Sequence, residues 1–227
     1  MSIERGGMPT QKAPKRKRGG IDSLPPKVYN RTKERLTAIT ADPKAYIDEG
    51  GAARVYRLPA GVCMKVMRPH NESRAAGLSL GNSLEQEAAF LERLSGTVVS
   101  GTRSPRYVSS VRDENFSALL MEQVNGSNLQ KILAREVELP AAFDHHAFFD
   151  ALEKYVQALH EKEHILHGDL EPRNVMVDNQ TGTPWVIDFG RAKSIENLTP
   201  DVRRRVEHEE WEKLNDLEEK MAQLRAI

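Results

Sequence analysis

The chain has 227 residues with 33 basic and 33 acidic side chains, a length that suits one core or two small lobes sharing a cleft. Its balanced charge gives no argument for a nucleic-acid or membrane partner, and the lone Cys63 excludes an intramolecular disulfide, which points to a reducing compartment. No apolar run approaches the roughly 18 residues needed to span a bilayer and no secretory signal is evident, so a soluble protein is expected.

Residues 1–26 are Gly, Pro, Lys and Arg with little apolar content, and read as a disordered basic segment. Lys15-Arg16-Lys17-Arg18 has the composition of a nuclear-localisation cluster or of a solvated basic tail. A short helix is expected over Tyr29 to Ile39. Strands follow at Tyr46-Ile47, Arg54 to Leu58 and Val62 to Met67, broken by Gly50-Gly51 and by Pro59-Ala60-Gly61. Ser83 to Leu94 repeats Leu84, Ala88 and Leu91 at helical spacing, with Ser83 as N-cap. Tyr107 to Val111 and Phe116 to Val124 read as two more strands, and Asn125-Gly126 as a hinge.

Beyond the hinge the pattern turns helical. Leu129 to Arg135 is short, and Asp144 to Glu163 carries Phe148, Leu152, Tyr155 or Val156, and Leu159 as a buried stripe. A hairpin pairs Asn174–Asp178 with Trp185–Ile187 around Asn179-Gln180-Thr181-Gly182. After Thr199 a last helix aligns Val202, Val206, Leu214, Leu217, Met221 and Leu224, a face for docking on the body of the protein or for a partner or second copy.

The most informative stretch is His167 to Gly190, HGDLEPRNVMVDNQTGTPWVIDFG. Asp169 stands five residues before Asn174, and Asp188 follows the hairpin inside Asp-Phe-Gly. Lys65, in the apolar run Val62-Cys63-Met64-Lys65, needs a partner if it is buried.

The order H-x-D-x-x-x-x-N then D-F-G resembles the protein-kinase-like superfamily over roughly residues 46–193. The resemblance implies an α+β, two-lobed fold: a β-rich N-lobe over 27–124 and a truncated, mainly helical C-lobe over 125–227. It implies ATP and Mg2+ as cofactors, with Asp169 as catalytic base and Asn174 and Asp188 as metal ligands. Lys65 would pair the α- and β-phosphates and Glu87 would pair Lys65, with Glu85 the competing candidate. His167 and Phe189 read as packing behind the site. For the nucleotide, Cys63 would pack in the cleft, Met121 would stand as gatekeeper, and the backbone of Glu122 and Val124 would meet adenine. The phosphate loop is eroded. Gly50 keeps its glycine and Gly51 the tight turn before Val55, while Asp48 and Ala53 replace the other two glycines.

Three departures narrow the subclass. Gly168 replaces the arginine that couples such sites to a phosphorylated loop. Glu171 replaces a phosphate-binding lysine, for which Arg173 or Arg191 would have to compensate. Only 37 residues follow Gly190, with no A-P-E motif. The chain is thus similar to minimal kinases, the RIO and Bud-type enzymes and the secreted effector kinases of bacterial pathogens. The expected function is ATP/Mg2+-dependent transfer to Ser or Thr of a protein, in a host cell if the chain is an effector. The alternatives are a small-molecule phosphotransferase and a non-catalytic kinase-like module. Lys65→Met is expected to abolish transfer and leave thermal unfolding nearly unchanged.

Overall fold

The computed structural model describes residues 26–49, 53–68, 84–112 and 116–225. The basic segment at 1–25, the Gly50-Gly51 turn and the Ser83 cap lie outside the described residues. A helix α1 (Pro26–Thr40) leads into strands β1 (Tyr46–Glu49), β2 (Ala53–Leu58) and β3 (Val62–Met67). Helix α2 (Leu84–Leu94) and strands β6 (Tyr107–Arg112) and β7 (Ser117–Glu122) complete the first lobe. Its five strands are antiparallel in the order β1-β2-β3-β7-β6, which puts β3 at the centre.

Because side chains alternate across a strand, β3 is divided between two cores. Met64 packs on one face with Leu36 of α1, Tyr56, Val111, Ala118 and Leu120. Cys63 packs on the other, with Leu119, Met121 and the α2 residues Leu84, Ala88 and Leu91. Lys65 has the parity of Cys63 and lies opposite Leu119, so its side chain goes to the inner face. That helix stripe holds α2 against the sheet, each buried leucine contributing roughly 2 kcal/mol of apolar transfer.

Two short strands, β4 (Val98–Val99) and β5 (Thr102–Arg103), were not foreseen, and they sit elsewhere than their place in the chain suggests. They join the second sheet, ordered β4-β5-β11-β10-β8, with β8 at Gly126–Asn128, β10 at Val175–Asp178 and β11 at Pro184–Val186. Arg103 pairs with Trp185 and lays its guanidinium 4.1 Å from the indole centroid. Residues 98–103, expected in the first lobe, therefore belong to the packing of the second.

The expected hinge at Asn125-Gly126 runs straight into β8, whose pairing with β10 brings the Val177 carbonyl 2.3 Å from where a Cβ of Gly126 would sit. Only glycine permits that approach. Helix α3 (Leu129–Leu133), capped by Asn128, and α4 (His145–Glu161), capped by Asp144, follow. Both Tyr155 and Val156 are fully buried, together with Phe148, Leu152 and Leu159. The hairpin takes the register Val175↔Val186, Met176↔Trp185, Val177↔Pro184. Strand β9 (Ile165–Leu166) pairs with β12 (Lys193–Ser194), which flanks the site on both sides. The last helix, α5 (Pro200–Arg225), buries Leu214, Leu217 and Met221 in the main core, while Val202 stays 36% exposed. Among the described residues no helix is long and apolar enough to cross a membrane.

Candidate active site

Lys65 reaches across the two lobes. Its Nζ lies 2.7 Å from Glu87 Oε2 on α2 and 2.8 Å from Asp188 Oδ1 of the second lobe. Burial would drive the ammonium toward its neutral form, but the charges of Glu87 and Asp188 outweigh it and hold Lys65 protonated. Burial pushes the Glu87 carboxyl up against the pull of Lys65, and Glu87 Oε1 has no hydrogen-bond partner. Asp188 is also desolvated, yet Lys65 holds it below the usual carboxylate range. Glu85 pairs instead with Arg112 on the exposed side of α2. The difference was readable in the stripe: Glu87 sits beside Ala88 on the face that carries Leu84 and Leu91, and Glu85 does not.

Asp188 occupies left-handed backbone (φ 62°, ψ 70°), and its Oδ1 accepts the Gly190 N–H at 3.3 Å. Phe189 is fully buried with its ring 4.7 Å from that of His167, whose Nε2 meets the Ile187 carbonyl at 2.9 Å. The His167 Nδ1 also accepts the Asp169 N–H at 3.3 Å. Ile187 N–H donates to the Asn174 carbonyl at 2.9 Å, tying Asn174 to the strand that delivers Asp188.

The buried Asp169 carboxylate is held from three directions. Asn174 Nδ2 donates to it at 3.0 Å, Arg173 Nη2 bridges both oxygens at 3.0 and 3.2 Å, and Arg191 Nη1 reaches Oδ1 at 3.3 Å. Asn174 also donates to the Asp169 carbonyl at 2.7 Å, which commits its amide nitrogen and leaves the amide oxygen as its ligand atom. Glu171, by contrast, faces Lys213 of α5 at 3.7 Å.

Gly168 explains its own identity. It has φ +78°, and a Cβ there would lie 2.5 Å from the Arg191 carbonyl oxygen. The arginine expected from the resemblance has no place in this loop.

The nucleotide side is partly assembled. Cys63 and Met121 are buried on the inner face and Val55 packs beside them. Burial pushes the Cys63 thiol up to about 12, so it is a packing group. Glu122 N–H is bonded to the Arg106 carbonyl at 2.9 Å, and its own carbonyl lies 3.7 Å from the Cys63 Sγ. Val124 is half-buried at the lobe junction. Gly50 and Gly51 lie outside the described residues. Asp48 does not stand unopposed, since Lys131 of α3 meets it at 3.0 Å across the mouth of the cleft.

Glu210 belongs to no motif of the sequence, yet it sits at the heart of the site. This α5 carboxylate, 3% exposed, accepts backbone N–H groups of His167 at 3.2 Å and Gly168 at 2.7 Å and bonds the His160 ring at 2.7 Å. Desolvation opposes its charge, but the His160 hydrogen bond, the His167 charge and the Gly168 N–H hold its carboxyl below the ordinary value. A signal existed: Glu210 falls one turn before Leu214, on the stripe that docks the helix.

Residues 45–211 match the family model of the protein kinase domain. The chain is similar to the dual specificity protein kinase zakA of Dictyostelium discoideum, 32% identical over 95 residues, covering 41% of this chain and 12% of that protein. It is also similar to the serine/threonine-protein kinase PknA of Corynebacterium glutamicum, 29% identical over 138 residues, covering 59% of this chain and 27% of that protein. The chain thus spans about a quarter or less of the length of these relatives. Among solved structures, WbdD superposes with a TM-score of 0.55 at 23% identity, covering 76% of this chain and 37% of that one, a likeness of fold. A family model spanning well over half of the sequence, with the lysine and both aspartates brought into one cleft, leads to one assignment: the chain belongs to the protein kinase domain family.

Proposed function

We propose that this chain transfers the γ-phosphoryl group of ATP, with Mg2+, to serine or threonine hydroxyls of a protein, as a constitutively competent kinase. One observation carries the reading: a single buried ammonium lies within 2.8 Å of both Glu87 and Asp188, bridging the lobes. Lys65, so oriented, would donate to the α- and β-phosphates. Asp188, whose Oδ1 is committed to Lys65 and Gly190, and Asn174, whose amide nitrogen is committed to Asp169, would each offer an oxygen to the metal. Two hard oxygens with phosphate and water completing the shell fit Mg2+. Bound with the nucleotide, that ion would offset phosphate charge and fix the terminal group.

Asp169 would accept the acceptor hydroxyl's proton as its oxygen bonds to phosphorus. Cys63, Val55 and Met121 would pack on the base, with the Glu122 carbonyl and the Val124 peptide at its edge. Constitutive competence is supported by Glu87 already on Lys65 and Phe189 already buried. Delivery to a host cell would rest on the basic segment 1–26 and entry to a nucleus on Lys15-Arg16-Lys17-Arg18, and fluorescent fusions lacking the segment or the cluster test each.

The decisive experiment incubates the protein with labelled ATP, Mg2+ and generic protein acceptors, beside Asp188→Ala. Protein-bound label present in the wild type and absent in the variant is expected. Label passing only to small hydroxyl compounds, or nucleotide binding without turnover, would overturn the reading.

A further inference from the structure

We propose that Gln86 and Arg93 are positioning residues: they clamp helix α2 to the second lobe at two points and so hold Glu87 on Lys65. The inference deepens the constitutively competent reading of this site and rests on it.

Helix α2 lies on the sheet through Leu84, Ala88 and Leu91, which pack with Cys63 and Leu119. Apolar contact is non-directional. It holds the helix down without fixing how far the helix slides or turns, yet the Glu87 carboxylate must arrive 2.7 Å from the Lys65 ammonium. Directional bonds supply that register. Gln86, the residue before Glu87, donates from Nε2 to the Ala192 carbonyl. Seven residues on, Arg93 Nε lies 3.3 Å from Glu163 Oε2, and its Nη2 donates to the Glu163 carbonyl. At 1.5 Å per residue the two tethers are about 10 Å apart along the helix axis, with Glu87 between them. One tether would leave a pivot, and two leave none.

Both anchors belong to one ribbon. Ala192, fully buried, immediately precedes β12, and Glu163 stands two residues before β9, with which β12 pairs. The ribbon is closed by Lys193↔Leu166 and Ser194↔Ile165, and by the Ile195 N–H on the His164 carbonyl at 2.9 Å. One of its strands runs into His167-Gly168-Asp169 and the other follows Asp188-Phe189-Gly190. Keyed to this ribbon, α2 carries Glu87 in register with both aspartates. The side chains of Arg93 and Glu163 are 38% and 29% exposed, so their pair adds little to stability and acts on geometry.

The test compares wild type with Gln86→Ala, Arg93→Ala, Glu163→Ala and the double variant Gln86→Ala/Arg93→Ala. Two quantities are read: kcat on a generic acceptor protein, and the rate at which acetic anhydride labels Lys65 relative to the exposed Lys154, by mass spectrometry. Glu87 helps to hold Lys65 protonated, so a lysine released from it labels faster. Each single change should lower kcat severalfold and the double change by about a hundredfold, the scale of a misplacement of about 1 Å. Lys65 labelling should rise about tenfold in the double variant, the equivalent of one pKa unit, with Tm nearly unchanged. The exchanged pair Arg93→Glu/Glu163→Arg should recover part of both effects. A fall in kcat while Lys65 labels at the wild-type rate overturns the proposal, as do variants that change neither quantity. Should the wild type transfer no phosphate, the kinase reading fails and Lys65 labelling alone decides the clamp: faster labelling in the variants upholds it, and an unchanged rate removes it.

Discussion

Glu210 Oε1 accepts the backbone N–H of Gly168 at 2.7 Å across 42 positions of sequence, so the last helix holds the loop that presents Asp169. Glu210→Ala would leave two buried N–H groups without their acceptor and free the loop to shift. A displacement of about 1 Å at reacting groups can cost on the order of 10²-fold in rate. We expect kcat to fall by about that factor with nucleotide affinity nearly unchanged, measured by steady-state kinetics and calorimetry. An equal fall in nucleotide affinity would refute loop positioning as the role.

The same carboxylate predicts an acid limb in stability. Its folded-state pKa lies below the unfolded value near 4.5, so its stabilisation is complete above that pH and is lost as pH falls through the folded pKa. Asp188, depressed from 3.8, adds to the same decline at lower pH. Wild-type Tm should drop below about pH 4.5, and Glu210→Gln should start lower at neutral pH and lose less on acidification. Parallel profiles would exclude the linkage.

Lys65→Met should abolish transfer, and the structure revises its expected neutrality toward stability. Lys65 is 9% exposed and Glu87 1%, and removing one partner of a buried ion pair costs about 3 kcal/mol. Adding Glu87→Gln should recover part of that loss by relieving the stranded carboxylate. Urea denaturation of the two variants reads the difference, and a single variant as stable as wild type would contradict this account.

Gly168→Ala should be far worse than a surface glycine change, because a Cβ there would meet the backbone oxygen of Arg191 at 2.5 Å in left-handed backbone. A destabilisation of about 2 kcal/mol or more, with loss of activity, is expected from strain of this kind. Gly96→Ala is the control: it shares a positive φ but has open space around it, so only the backbone penalty applies.

Asp48 and Lys131 pair at 3.0 Å between the lobes but are 46% and 42% exposed, so the pair itself is worth about 1 kcal/mol at most. Lys131→Ala should weaken ATP binding severalfold by leaving Asp48 facing the cleft, and Asp48→Ala should restore it in the double variant. The effect should fade in high salt. Binding that is indifferent to Lys131 at low salt would dismiss the contact.

Much of this site was legible because its residues fall in one local run. His167 to Gly190 has fixed spacing, and an antiparallel hairpin that pairs Val175 with Val186 brings Asn174 and Asp188 to the same end. Lys65 and Glu87 were legible because a cation in an apolar strand and an acid on an apolar helix stripe each need a partner. Glu210 showed only its place on the docking stripe, since its contact with the loop depends on a helix returning to residues 42 positions earlier. The strands at 98–103 escaped for a related reason: two-residue strands have no periodicity, and they are placed by a parallel bridge and a stacked tryptophan in a distant segment. The fates of Asp48 and Glu171 were also hidden, because each met a lysine brought by tertiary packing.

The excursion of Val98–Arg103 into the second sheet bears on how the protein can be divided for study. A fragment ending at Val124 would carry away two strands that the remaining piece needs, exposing the Trp185 edge of its sheet. Split-protein reconstitution cut at 124 should therefore yield two insoluble halves, and a helical C-terminal piece expressed alone would need the 98–103 hairpin grafted back.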